Sequence, residues 1–251
     1  MLVCRQMGEG PALVLVHGYL GGAAMWDDQF AAFSRHFRCI APNLAGFGDS
    51  GHLKAPDSIE GHARLVLEAL DDLGVKTFHL IGHSMGGMVV QQMAAMAPAR
   101  IEKLILYGTG PVGLLPNRFE PIETSRQRLH AEGLEATAAR IAATWFIKGE
   151  AAHGYATCRK EGAKASLQAA LASLDAWQTW DGTAALATFP MPTLVIWGDG
   201  DRSYGWSQPE KLWQTIADCR LAVVPNCAHN VHMEKPEIFA LIVMDFLTSS
   251  D

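Results

Sequence analysis

Ser84 stands in the run FHLIGHSMGGMVVQQMAAMAP, Phe78 to Pro98, with glycines two residues before it and two and three after it. A strand-like apolar run, Thr77–Ile81, leads into it, and a helical pattern, Met85–Ala97, leads away. A serine on so sharp a strand-to-helix corner needs small neighbours. A Cβ at Gly82 or Gly86 would clash as the chain doubles back. The corner holds Oγ clear of the sheet at a helix N-terminus, where unpaired N–H groups and the dipole favour negative charge. That setting suits an attacking alkoxide and the oxyanion it creates. The plainer role for such a serine is a helix cap.

A serine hydroxyl attacks only when a neighbour takes its proton. Among ten histidines, His229 in CAHNVHMEKPE lies just past the last strand, and His232 is its rival. His83 belongs to the corner but points away from Ser84, His79 sits within a strand, and His17 braces its own loop. The imidazole needs an acid to orient it. Strand TLVIW ends in Gly198-Asp199-Gly200-Asp201, which offers Asp201, with Asp199 as the alternative or as the turn former. The chain order Ser84, Asp201, His229 differs from the chymotrypsin and subtilisin orders. For the oxyanion, the sequence offers the backbone N–H groups of Met85 and of Tyr19, the latter in the loop HGYLGG.

These groups are far apart in the chain, so a fold must bring them together. Apolar runs at Ala12–Val16, Phe37–Ala41, Thr77–Ile81, Ile101–Tyr107, Thr193–Trp197 and Leu221–Val224 read as strands. Ser58–Leu73, Met85–Ala97, Gln208–Ala217 and Pro236–Leu247 read as helices. Alternating βα units predict a mostly parallel sheet of about seven strands, with helices on both faces. The rhythm breaks over 111–189, where no strand run occurs. Helical patterns fall there at Phe119–Ala131, Leu134–Phe146, Ala163–Ser173 and Leu174–Thr179. This stretch predicts an all-helical cap inserted into a core of 1–110 and 190–251, at the sheet's C-terminal edge, where such sheets bind ligands. Trp145, Phe146 and Trp177 then line an apolar pocket or pack the cap helices together. Arg126, Arg128, Arg140 and Arg159 meet a substrate carboxylate or stay on the surface.

Composition narrows the class. The chain has 251 residues, 49% hydrophobic and 18% charged, with net charge −6, which fits one large α/β domain carrying an insertion. No Lys/Arg run forms a basic face, which argues against nucleic-acid binding. Five scattered cysteines without a CxxC pair read as reduced thiols. The start lacks a signal-peptide pattern, and the apolar runs fall far below the ~20 residues that span a bilayer, so a cytoplasmic protein is expected. No metal-ligand cluster and no nucleotide fingerprint occurs, so no cofactor is implied. Nothing requires a second copy of the chain.

The pieces HGYLGG, PNLAGFGDSG, GHSMGG, WGDGD and AHNVHMEKP, in that order, resemble the α/β-hydrolase family over nearly the whole chain. The resemblance implies a Ser-His-Asp triad of Ser84, His229 and Asp201. Asn43 stands where the family often has Asp, and Ala45 where it has Pro or Arg, in a turn that looks structural. Only MLVCRQMGEG precedes ALVLV, so the family's first strand is missing and seven strands are expected. Met85 after the nucleophile resembles carboxylesterases, enol-lactonases, C–C hydrolases of aromatic breakdown and cofactor-free perhydrolases. AHNVHME lacks the Trp that several C–C hydrolases carry after the histidine. Ser84 itself argues against dehalogenases and epoxide hydrolases, which use Asp there. The implied activity is cleavage of a carboxylic ester or lactone of a small to medium acyl substrate. A small-molecule receptor on the same fold is the reading from another class.

Overall fold

The computed structural model describes residues 1–115 and 120–249. Seven strands form one sheet: Cys4–Met7 (β1), Ala12–Val16 (β2), Arg38–Pro42 (β3), Phe78–His83 (β4), Ile101–Tyr107 (β5), Thr193–Gly198 (β6) and Cys219–Val224 (β7). Their order is β1-β3-β2-β4-β5-β6-β7. β1 runs antiparallel to β3, and every other neighbouring pair is parallel. The expected number of strands is met, but MLVCRQMGEG is not empty: it holds β1. Three of the four residues of that strand are exposed, so no apolar alternation marks it. Backbone pairing to β3 forms it, not side-chain burial.

Side-chain alternation divides the inner strands between two cores. Leu13, Leu15, Ile81, Ile105 and Tyr107 face one side, packed with Asp27–Phe33 (α1) and Pro236–Thr248 (α10). Val14, Val16, Leu80, Leu104 and Leu106 face the other, packed with Ile59–Asp72 (α2), Met85–Met96 (α3) and Ser207–Thr215 (α8). Burial on both faces is why β2, β4 and β5 read as continuous apolar runs. Each fully buried Leu or Val contributes about 1.5–3 kcal/mol. Ser58 caps α2 by accepting from the Gly61 N–H at 3.2 Å.

Between β5 and β6 lie four α-helices among the described residues: Ile122–Glu132 (α4), Leu134–Thr144 (α5), Tyr155–Ala163 (α6) and Leu167–Thr179 (α7). Two sequence expectations change here. Ala163–Ser173 and Leu174–Thr179 are not separate helices but mostly one, α7, started by Ser166, whose side chain accepts from the Ala169 N–H. α6 has the sequence YATCRKEGA, too polar to show a helical period. The expected start of the first helix at Phe119 lies outside the described residues. A short helix, Val231–Glu234 (α9), follows β7 and its loop. No helix among the described residues is long and apolar enough to cross a membrane.

The helical block is stitched to the core along one side. Ala55 N–H donates to Gln168 Oε1 at 2.9 Å, Gln168 Nε2 returns a bond to the Ala55 carbonyl at 3.1 Å, and Ser166 N–H reaches the Gly46 carbonyl at 2.9 Å. Lys164 Nζ joins Asp49 at 2.9 Å and the buried Glu161 at 2.8 Å. Asn43 is structural, as expected. Its Oδ1 accepts from the Ala23 N–H and its Nδ2 donates to the Val3 carbonyl, which ties β1 and the loop after β2 together.

Candidate active site

Ser84 has φ 57° and ψ −122°, a left-handed conformation that a non-glycine residue adopts only when its surroundings enforce it. The enforcement is steric. A Cβ on Gly86 would overlap the carbonyl oxygens of Val16 and His17, and one on Gly82 would overlap Val90 and the Gly86 carbonyl. Hydrogen bonds complete the corner: Ser84 N–H donates to the Tyr107 carbonyl at 3.0 Å, and Thr109 Oγ1 donates to the Ser84 carbonyl at 2.8 Å. The Ser84 side chain makes no capping bond to α3. Its hydroxyl is therefore not occupied as a helix cap and faces a cavity instead. Met85 is the first residue of α3, so its N–H has no intrahelical partner. Tyr19 lines the same cavity, and Leu20 next to it is held at φ 51°.

His229 also lines this cavity. Its Nδ1 lies 2.9 Å from Asp201 Oδ2, with both side chains buried. An ionised carboxylate only accepts, so Nδ1 carries the proton and Nε2 is left with its lone pair. Asp201 Oδ1 accepts from the N–H groups of Ser203 at 2.7 Å and Tyr204 at 3.2 Å. Asp199 is exposed and its N–H bonds to the Val224 carbonyl, so the geometry separates it from the imidazole. No hydrogen bond joins Ser84 Oγ to His229 among the described residues. Such contacts often tighten only when substrate binds. The arrangement can hold one imidazole tautomer and lend its basic nitrogen to a group in the cavity.

The competing histidines have other work. His232 is buried, 3.0 Å from the Tyr107 hydroxyl, and burial pushes its pKa down to about 3. His83 Nε2 sits 3.2 Å from the His229 carbonyl, under the loop, and burial followed by the neighbouring His229 and His232 holds it well below the usual range. Tyr107 hydroxyl donates to that same carbonyl at 2.8 Å. These neutral groups fix the backbone that carries the imidazole. His17 braces its loop, with Nδ1 on the Gly18 carbonyl and Nε2 accepting from Leu44 N–H; burial lowers it to about 4. His79 packs at the edge of β4, 3.4 Å from Glu102.

The cavity is ≈ 60 Å³ and mostly apolar. Trp145 and Trp177 form part of its wall. Phe146 does not: it is fully buried in the core and is not among the wall residues. It follows Trp145 directly, and adjacent residues leaving a helix end point in different directions. Ile141, Met88, Leu115, Ser203 and Tyr204 join the wall without having been read from the sequence. Tyr204 stacks on the His229 ring at 5.7 Å and 10°. No wall residue among those described is cationic. The four arginines considered from the sequence go elsewhere: Arg126 pairs with Asp175, Arg128 with Glu120 and Arg140 with Glu132, while Arg159 is exposed. Among the described residues no group of three or more His, Cys, Asp or Glu side chains is placed to hold a metal.

Residues 13–240 match the family described as the alpha/beta hydrolase family. Among curated proteins, the chain is 29% identical to a 2-hydroxy-6-oxo-6-phenylhexa-2,4-dienoate hydrolase of Burkholderia cepacia, covering 96% of this chain and 89% of that one. A solved hydrolase from Pseudomonas aeruginosa superposes with a TM-score of 0.88 at 31% identity, covering 98% and 94% of the two chains. The enol-lactonase of Burkholderia xenovorans gives 0.91 at 27% identity, over 99% and 96%.

Proposed function

The chain belongs to the alpha/beta hydrolase family and is a hydrolase; from that premise we propose that it cleaves a carboxylic ester or lactone of a small to medium acyl substrate. Ser84 Oγ attacks the carbonyl carbon while His229 Nε2 takes its proton. Asp201 keeps the imidazole in the reactive tautomer and stabilises the charged form. The N–H groups of Met85 and Tyr19 hold the tetrahedral oxyanion, each such donor contributing roughly 3 kcal/mol to barrier lowering. His229 returns the proton to the leaving alkoxide, and an acyl group remains on Ser84. Water, activated by the same imidazole, then releases the acid. The helical block over 111–189 acts as the cap whose walls select the acyl group.

One observation carries this reading. The buried 2.9 Å contact between His229 and Asp201 opens onto the same cavity as a strained serine that caps nothing. The alternative, C–C hydrolysis of a dienoate, draws support from the relative of that name. A dienoate carries a carboxylate, however, and the described walls offer it no cation.

The test is a side-by-side panel of short p-nitrophenyl esters, lactones, carbamates and vinylogous 1,5-diketone acids, with the Ser84→Ala protein as blank. Multiple turnovers of esters or lactones, abolished in the blank, are expected. Turnover confined to the diketone acids would replace this reading with the C–C one. Tight binding with a single slow turnover would favour a receptor.

A further inference from the structure

Glu234, at the end of α9, has both carboxylate oxygens committed to backbone N–H groups, one six residues earlier and one far away in the helical block. Oε2 accepts from Ala228 at 2.6 Å and Oε1 from Ile147 at 2.7 Å. Ala228 immediately precedes His229. Ile147 lies two residues after Trp145, part of the cavity wall. A second bond runs parallel to this bridge: Asn230 N–H donates to the Trp145 carbonyl at 3.0 Å. The Ile147 side chain also reaches the acid's turn, since its Cδ1 lies 2.6 Å from where a Cβ on Gly200 would be. Gly200 precedes Asp201, and its N–H bonds to the Cys227 carbonyl at 2.8 Å.

From these contacts we infer that Glu234 is a positioning residue that clamps the imidazole-bearing turn to the cavity wall. Bonds from N–H to an ionised carboxylate are shorter and stronger than neutral ones. One side chain thus sets the gap between His229 and Trp145, whose rings lie 6.2 Å apart. That gap bears on two properties: the alignment of the base with Ser84, and the length of acyl group that fits beside it. On this side α6 reaches the turn through Cys158, whose Sγ lies 3.3 Å from Asn230 Nδ2, while the backbone joins to the residues after α5 are made by Glu234 and Asn230. The inference rests on the serine-hydrolase reading above.

Glu234→Ala removes both bonds. Glu234→Gln keeps one acceptor but turns its NH2 group toward the other N–H, so it breaks half the clamp. Each variant is titrated for active serine with a fluorophosphonate, then assayed on p-nitrophenyl butyrate and octanoate. In Glu234→Ala, kcat per titrated site is expected to fall tenfold to a hundredfold, the order of loss from a remote ångström-scale misplacement. KM for butyrate stays near the wild-type value, and the octanoate-to-butyrate ratio of kcat/KM rises. Glu234→Gln falls between. A lower melting temperature with kcat and that ratio unchanged in both variants would reduce Glu234 to a brace and overturn the inference. Should the wild type turn over no ester, the hydrolase reading fails by itself, and amide hydrogen exchange then decides. Faster exchange at Ala228 and Ile147 together in both variants upholds the clamp, and unchanged exchange at both refutes it.

Discussion

Around Ser84 the glycines are hemmed in closely, in large part by main-chain atoms. Gly86 meets the carbonyls of Val16 and His17, Gly82 meets the Gly86 carbonyl, and Gly18 leaves only 2.8 Å between a would-be Cβ and Ser84 Cβ. Across the cavity, Ile141, Trp145 and Trp177 reach in as side chains from α5, the turn after it and α7. At the corner nothing moves without a clash, because main-chain atoms cannot change rotamer. At the wall a side chain can be exchanged for another at the cost of some packing. The corner is suited to chemistry that must not vary, and the wall to selectivity that can.

The comparison has consequences in descending order of size. Asp201→Asn keeps the shape of the site but favours the wrong imidazole tautomer, and kcat on an ester should fall about 10⁴-fold. A loss under tenfold would mean that the buried pair does not drive turnover. Gly86→Ala should cost on the order of 3 kcal/mol or more in urea unfolding, since backbone carbonyls cannot yield. Gly205→Ala, with nothing within 4 Å, should be close to neutral. Equal effects would break the contrast between a jammed corner and open surface.

Acid should loosen the corner before the wall. His17, whose carbonyl abuts Gly86, and His62, buried on α2, are lowered to about 4 because burial disfavours their charged forms, whereas an unfolded histidine titrates near 6.5. Between those values the unfolded chain binds more protons. Stability is therefore full above pH 6.5 and falls as pH drops toward 4, by about 3 kcal/mol for His17 alone. His62→Leu should flatten the slope of unfolding free energy against pH in that window. The smallest effect is expected at the wall. Trp177→Phe should shift the ratio of kcat/KM between long and short acyl esters by about tenfold while leaving kcat on the short ester nearly intact. A drop in kcat with no change in that ratio would place Trp177 with the corner instead.

Legibility in the sequence followed the same divide. β2, β4, β5 and β6 were readable because both faces are buried and the apolar runs are continuous. β1 was not, since an edge strand held by backbone pairing leaves its side chains to solvent. α6 was missed because half of YATCRKEGA is polar, and α7 was split because its Ala-rich run gives little contrast around the helix. Ser84, His229 and Asp201 were legible as residue types at strand ends. Asp199 and His232 could be set aside only by geometry. Glu234 inside AHNVHMEKPE gives no signal, because a Glu on a short helix looks solvated until its bonds to Ala228 and to the distant Ile147 are seen. Phe146 resembles Trp145 in type alone, and the turn after α5 sends it into the core.

The residue types at the serine corner follow from the sequence by itself, because glycine is the only answer to main-chain atoms in contact and local order forces that contact. So does the parallel sheet, since apolar runs of that length have to be covered on both sides. The shape of the cavity and the identity of its walls were decided only in three dimensions. Helices over 120–179 meet the core through side chains with no fixed spacing, so which of them face the serine depends on how the whole block is docked, and no local pattern records that.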